Sequence, residues 1–238
     1  MAKQSSVTSI SIGVGLATGL YGISFGALSV AAGLDIWQTQ VLSLLMFSGG
    51  SQFAFVGVIA AAGGAGVGTA GVGAAIISAW LLGIRNGFYA VRLAPILNRV
   101  GLGKLVPAML TIDESTAVST SQAEHKDQVR GFWLTGAAVF TFWNLMTLAG
   151  AILGDALGDP SKWGLDAAAA AAFLGLLWPR LKERQAVAVG AAALIIATAA
   201  TPFLSAGVPV LLAGVAAVVV GLFNWFGNKS EKETGANA

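Results

Sequence analysis

The sequence predicts an all-α fold, a polytopic membrane helix bundle with about seven to eight spans, some of them broken or re-entrant. Three observations carry that prediction. The 238 residues are 56% hydrophobic and only 10% charged, where an ordinary soluble domain is roughly 25% charged, and the mean hydropathy is +0.78. Four long runs, Gln4–Leu34, Ile36–Ile84, Gly131–Gly154 and Gln185–Asn228, contain no formal charge. Roughly 20 apolar residues cross a bilayer as a helix, so several of these runs have the length for two crossings. Finally, glycines coincide with polar side chains inside one apolar stretch, Met46–Phe55, which is where a helix breaks.

The same inventory excludes most soluble chemistry. The chain has no cysteine, so disulfides, thiol catalysis and thiolate metal sites are absent. Its one histidine, His125, lies in the polar stretch "SQAEHKDQVR" and reads as a solvated surface residue. The net charge of +2 and pI near 9.1 come from basic residues scattered at segment ends; without a basic patch there is no case for nucleic acid. No Ser-His-Asp set, HExxH or GxSxG occurs, so we expect neither an enzyme nor a cofactor.

In chain order, the candidate spans are Ile10–Ala32, Thr39–Ala62, Thr69–Leu93, Phe132–Leu153, Leu165–Leu177, Ala186–Ala200 and Val208–Phe226. Residues 1–9 form a cytoplasmic N-terminal tail, 10–227 one transmembrane domain and 228–238 a polar C-terminal tail. The N-terminus superficially resembles a signal peptide, but it lacks an A-x-A site and runs into more membrane sequence. It reads as a retained first helix. Within that helix Gly15, Gly19, Gly22, Gly26, Ser29 and Gly33 recur at alternating spacings of four and three. They form one small-residue face that another backbone approaches closely; a backbone-lined substrate path on the same face is the alternative.

The second span contains "MFSGGSQFAF", Met46–Phe55. Each interior glycine costs a helix about 1 kcal/mol relative to alanine, and Ser48, Ser51 and Gln52 add polar groups at the same depth. A helix broken at Gly49–Gly50 would expose backbone N–H and C=O groups that hold a charged solute; a packing notch with Gln52 bonded to a neighbouring helix is the alternative. After it comes "GVGTAG", Gly66–Gly71, a formal G-x-G-x-x-G match. It lies between spans, with no acid from Asp35 to Asp113, so it reads as an inter-helix turn and not a dinucleotide site.

The third span ends in "LLGIRNGFYAVRLAPIL", Leu81–Leu97. Arg85, Tyr89 and Arg92 share one helical face. An arginine at mid-membrane costs about 2.5–3.5 kcal/mol on insertion scales, so it must snorkel, meet an acid or face a wet cavity. Arg92 is near enough to the helix end to snorkel; Arg85 is deeper. The nearest acids are Asp113 and Glu114 in "TIDESTAVST". The whole stretch Lys104–Gln122 is too polar for a lipid-facing helix and too apolar for a loop. It reads as a short helix that lines a cavity or re-enters the membrane. A hairpin through "NRVGLGKLVP" brings Asp113 or Glu114 beside Arg85, as a polar pair that borders a substrate path or only fixes helix register. In the fourth span, Asn144 is expected to make an interhelical hydrogen bond, and Trp143 to be a packing residue or a pocket wall.

Lysine and arginine bias sets the orientation. "HKDQVR" and "PRLKER" are basic and cytoplasmic, the mostly acidic "GDALGDPSKWGLD" lies outside, and both termini are cytoplasmic. This requires an even number of crossings, so Lys104–Gln122 returns across most of the membrane, leaving Arg99 and Lys104 outside against the bias. A "GLD" echo at Gly33–Asp35 and Gly164–Asp166 suggests two parallel repeats, about 10–124 and 130–227.

These stretches resemble the AzlC/YgaZ family, the large subunit of two-component branched-chain amino-acid exporters. The resemblance rests on "YGISFGALS", "FSGGSQFAFV", "IRNGFYAVRLAPIL", "TIDESTAVST" and "WGLDAAAAAAFLGLL", in that order across roughly Gly13 to Ala200. It implies a permease of the bacterial inner membrane that exports valine, leucine or isoleucine with a small membrane partner of the AzlD/YgaH type. The family's histidine after the motif arginine is Asn86 here, which argues against a proton relay at that position. On these motifs the candidate substrate-binding residues are Ser48, Gly49, Gly50, Gln52, Phe53, Arg85, Asn86, Tyr89, Asp113, Glu114 and Asn144. The carboxylate of an aliphatic amino acid would meet Arg85 or the broken backbone, its ammonium Asp113 or Glu114, and its side chain Phe53 and Tyr89. A carboxyl out of water is also a candidate proton carrier. The alternatives are a permease for another small organic solute and a non-transporting membrane scaffold.

Overall fold

The structure is a computed structural model that describes residues 6–64, 68–157, 174, 178, 181–182, 184–204 and 208–223. Those residues are helical, without a strand. The helices are α1 (Val7–Ala31), α2 (Ile36–Leu45), α3 (Gly49–Ala61), α4 (Thr69–Leu97), α5 (Leu105–Leu110), α6 (Asp113–Thr120), α7 (His125–Leu157), α8 (Arg184–Ala200) and α9 (Val208–Leu222), with a 3-10 turn at Gly101–Lys104 before α5. Among them α1, α4 and α7 are long and apolar enough to cross a membrane; the other apolar helices are shorter. Apart from Leu174, the expected span Leu165–Leu177 lies outside the described residues, as do the second "GLD", the C-terminal tail and part of the "GVGTAG" turn.

Two expectations change in detail. The span expected as Thr39–Ala62 is a pair of half-helices, α2 and α3, separated at Met46–Ser48, so the break falls just before the glycine pair. The polar stretch Lys104–Gln122 is also broken, at Thr111–Ile112 between α5 and α6.

Local chemistry explains these boundaries. Ser6 caps α1, its hydroxyl accepting from the Ser9 N–H at 3.2 Å, and Gly33 leaves the helix at φ +90°. Asp35 then starts α2 with a reciprocal cap: the Gln38 N–H donates to Asp35 Oδ1 at 2.7 Å and the Asp35 N–H to Gln38 Oε1 at 3.0 Å, satisfying two orphan donors at once. Asn98, left-handed at φ 43°, ends α4.

The tightest packing in the fold joins α1 to α7. A Cβ at Gly15 would lie 2.6 Å from Ala138 Cβ, one at Gly19 2.5 Å from Phe142 Cβ, and one at Gly22 2.6 Å from the Trp143 carbonyl. On the other side Gly150 and Gly154 receive the backbone of Ile23 and Ala27. Ser11 and Thr135 bridge the pair at 2.9 Å inside it. Of the two readings of the glycine face, helix packing is therefore the right one, because α7 fills the space that a substrate path would need.

Polarity is inverted relative to a soluble protein. Trp37, Leu45, Trp80, Phe88 and Val91 lie on the outer surface, while Ser11, Ser29, Thr39, Ser43, Gln52 and Thr147 are fully buried. The chain is a membrane protein by this distribution and by its three long apolar helices.

Candidate functional site

The deep arginine finds its acid. Arg85 Nη2 lies 2.8 Å from Asp113 Oδ2, and Tyr89, one turn further along α4, donates its hydroxyl to Asp113 Oδ1 at 2.6 Å. Both carboxylate oxygens thus have a donor. The hairpin through residues 98–104 that the sequence suggested is what returns Asp113 to this depth. Arg92, on the same face of α4, is exposed, in keeping with a side chain that snorkels. The Arg85 and Asp113 side chains are 33% and 36% accessible. A sealed ion pair would show neither value.

The guanidinium also presses on the first break. A Cβ on Gly50 would lie 3.1 Å from Arg85 Nη2 and 3.3 Å from Nη1, so the absence of a side chain is what lets α4 set the cation against the start of α3. Ser48 occupies the N-cap position of α3 but makes no capping bond. Its hydroxyl is instead 3.2 Å from that of Ser51 and accepts from Asn86 Nδ2 at 3.3 Å. The first N–H groups of α3, at Gly49, Gly50 and Ser51, have no acceptor within their own helix, and the positive end of the helix dipole coincides with Arg85. Arg85 Nε is buried and has no partner.

The second break is closed by its own side chains. Thr111 Oγ1 donates to the Pro107 carbonyl at 2.8 Å, Ser115 Oγ to the Leu110 carbonyl at 2.6 Å, and the Ile112 N–H donates to Ser115 Oγ at 3.1 Å. These are the groups a helix break would otherwise leave unpaired, which accounts for the hydroxyl-rich "TIDESTAVST". Asp113 and Glu114 occupy the first turn of α6, where the dipole favours negative charge. One break is therefore self-sufficient and supplies the acid; the other is left open and receives the cation.

Other expected site residues stand further from the ion pair. Glu114 points to α1, where Thr18 Oγ1 donates to it at 3.5 Å. Phe53 is 3% exposed in a trio with Phe25 and Trp143, ring centroids 5.6–6.2 Å apart, and so underpins the site. Gly49 faces the ring of Trp143, whose Cη2 lies 3.2 Å from where a Cβ would be; Trp143 is thus both a packing residue and a wall of the break. Asn144 donates to the Phe140 carbonyl of its own helix at 2.8 Å, and its backbone carbonyl accepts from Gln40 Nε2 of α2 at 3.5 Å; the expected interhelical bond is made through its main chain. Gln52 donates to the Ser43 carbonyl at 3.2 Å, tying α3 back to α2.

Sequence reasoning missed Thr18 and Gln40. An amide at position 40 of a charge-free span was a usable signal. Thr18, one threonine among the glycines of α1, carried none.

A family model described as AzlC protein matches residues 13–157, more than half of the chain and every residue of the site above. No curated protein and no solved structure matches the chain.

Proposed function

The chain belongs to the AzlC family, and we propose that it is the transporting subunit of an exporter for branched-chain amino acids such as valine, leucine and isoleucine. The observation that carries this reading is the accessible Arg85–Asp113 pair set against the open N-terminus of α3. A zwitterion is the natural guest for an ion pair in a membrane. Its carboxylate takes Arg85 and the free N–H groups of Gly49–Ser51, its ammonium takes Asp113, and the two pairs exchange without leaving net charge in a medium where an unpaired charge is costly. Tyr89 holds Asp113 in place during the exchange, Asn86 fixes Ser48 at the break, and the apolar surround of α4 receives the aliphatic side chain.

We further propose about seven to eight crossings in the bacterial inner membrane, with both termini cytoplasmic and the α2–α3 and α5–α6 pairs each serving as one broken crossing. The outer surface of α4, with Trp80, Phe88 and Val91 exposed, faces lipid or a small partner subunit of the AzlD/YgaH type.

The test is transport of radiolabelled leucine by the chain, with and without its small partner, reconstituted in liposomes. Uptake competed by excess valine supports the reading. Transport indifferent to valine and leucine would identify a permease for another organic solute, and no transport in either preparation would leave a scaffold subunit.

A further inference from the structure

The two helix breaks carry serine at matching positions and use it differently. Ser115 is the third residue of α6, and its hydroxyl accepts from the N–H of Ile112, the residue before that helix, at 3.1 Å. Ser51 is the third residue of α3, and Ser48 is the residue before it. Hydroxyls at these two places ordinarily close a helix start: the first accepts from the second or third helical N–H, and the second reaches back to the N–H of the cap. At α3 neither bond forms. Ser48 makes no capping bond, and its own N–H donates to the Met46 carbonyl at 2.6 Å.

What diverts the hydroxyls lies on α4. Asn86 Nδ2 donates to Ser48 Oγ at 3.3 Å, and Ser48 Oγ lies 3.2 Å from Ser51 Oγ. Ser51 sits against Gly83, where a Cβ would stand 3.6 Å from its hydroxyl. A serine oxygen accepts at two sites; Ser48 gives one to Asn86 and turns towards Ser51 instead of the helix end. Both serines are buried. Asn86 directly follows Arg85, whose Nη2 lies 3.1 Å from where a Gly50 Cβ would be. The turn of α4 that brings the cation to the start of α3 also holds that start open.

We propose that Asn86 is a positioning residue for the substrate carboxylate: it holds Ser48 off the N-terminus of α3, so that the N–H groups of Gly50 and Ser51 stay free beside Arg85. This rests on the transport reading above, in which those groups and the guanidinium take the carboxylate together. At a capped helix start the carboxylate would first have to displace a serine hydroxyl. At this one the donors stand ready, because the cap is bonded elsewhere before substrate arrives. Asn86 acts through Ser48 and makes no contact with the substrate in this scheme.

The test uses the purified full chain in detergent. In Asn86→Ala the Ser48 hydroxyl is released to cap α3, so hydrogen–deuterium exchange at the Gly50 and Ser51 amides should slow about 5-fold, the factor that a cap contributes. Affinity for leucine, read from the ligand-induced shift of the unfolding midpoint, should fall about 5-fold relative to that for 3-methylbutylamine, which keeps the ammonium and side chain but lacks the carboxylate. Adding Ser48→Ala removes the competing hydroxyl, so the double variant Asn86→Ala/Ser48→Ala should regain both the fast exchange and the preference for leucine. Asn86→Leu, closer in volume to asparagine, carries the same comparison if the alanine variant does not fold. Unchanged exchange at those amides, a loss shared equally by leucine and the amine, or no recovery in the double variant overturns the proposal and leaves Asn86 a packing residue of α4. Absence of leucine transport in liposomes would remove the exporter reading, while the exchange comparison needs no substrate and decides the relation of Asn86 to Ser48 by itself.

Discussion

Neutralising the ion pair one member at a time, and then both together, separates a structural role from a transport role. In Arg85→Gln the Asp113 carboxylate keeps only the Tyr89 hydroxyl at 2.6 Å. An exposed ion pair contributes about 0–1 kcal/mol and breaking a buried one costs about 3–5. With about a third of each side chain accessible, we expect a loss of about 1–2 kcal/mol, between those limits. Asp113→Asn should cost a similar amount, because it strands the guanidinium against Gly50. The double variant removes both charges and should recover stability to within about 0.5 kcal/mol of the wild type. Transport should behave differently. A charge-assisted bond to the substrate contributes about 1.5–3 kcal/mol, or about 10–150-fold in affinity, and the double variant has lost such a bond to each end of the zwitterion. Leucine flux in liposomes should therefore be abolished in all three variants, while thermal unfolding in detergent shows the double variant nearly restored. A double variant that carries leucine at the wild-type rate would refute the reasoning, since the pair would then only fix the register of α4 and α6.

Further outcomes follow from neighbouring contacts. Gly50→Ala places a methyl 3.1 Å from Arg85 Nη2, so it should raise the KM for leucine several-fold without loss of folded protein, as a flux titration and a size-exclusion profile would show. Tyr89→Phe frees Asp113 Oδ1 of a 2.6 Å bond and should weaken leucine binding about 10-fold, measured by ligand-induced shift of the unfolding midpoint. Gly22→Leu drives a side chain into the Trp143 carbonyl and the Thr147 amide; overpacking of this kind costs about 1–3 kcal/mol or more, so the yield of folded protein should fall steeply, whereas Gly13→Leu, which meets nothing within 4 Å, should be tolerated.

What the sequence disclosed, and what it withheld, divides along physical lines. Charge in a membrane is costly enough that a lone deep arginine implies a partner, and the nearest acids in the chain supplied it: Arg85 does meet Asp113. Glycines and hydroxyls at the same depth marked the first break to within a few residues, because both raise the cost of a continuous helix. The same reasoning separated Arg92 from Arg85 by distance to the helix end. Contacts between distant segments were less visible. Nothing local says that Glu114 faces Thr18 or that Gln40 meets Asn144, since each depends on how α1, α2 and α7 are set against one another. Nor does anything local say that Phe53 packs against Phe25 of α1 and Trp143 of α7. The second break was seen only as an oddly polar helix, because hydroxyls that satisfy their own backbone look, in one dimension, like hydroxyls waiting for a ligand.

The backbone-to-backbone seam between α1 and α7 constrains how this molecule is able to move. With carbonyl oxygens nested where Cβ atoms would otherwise stand at Gly22, Gly26 and Gly150, and the Cβ atoms of Ala138 and Phe142 seated against Gly15 and Gly19, neither helix slides by part of a turn without driving a side chain into its neighbour's main chain. The two act as a single fixed post. Shape change then belongs to the jointed pieces hung around it, α2 with α3 and α5 with α6, whose breaks at residues 46–48 and 111–112 flank the Arg85–Asp113 pair.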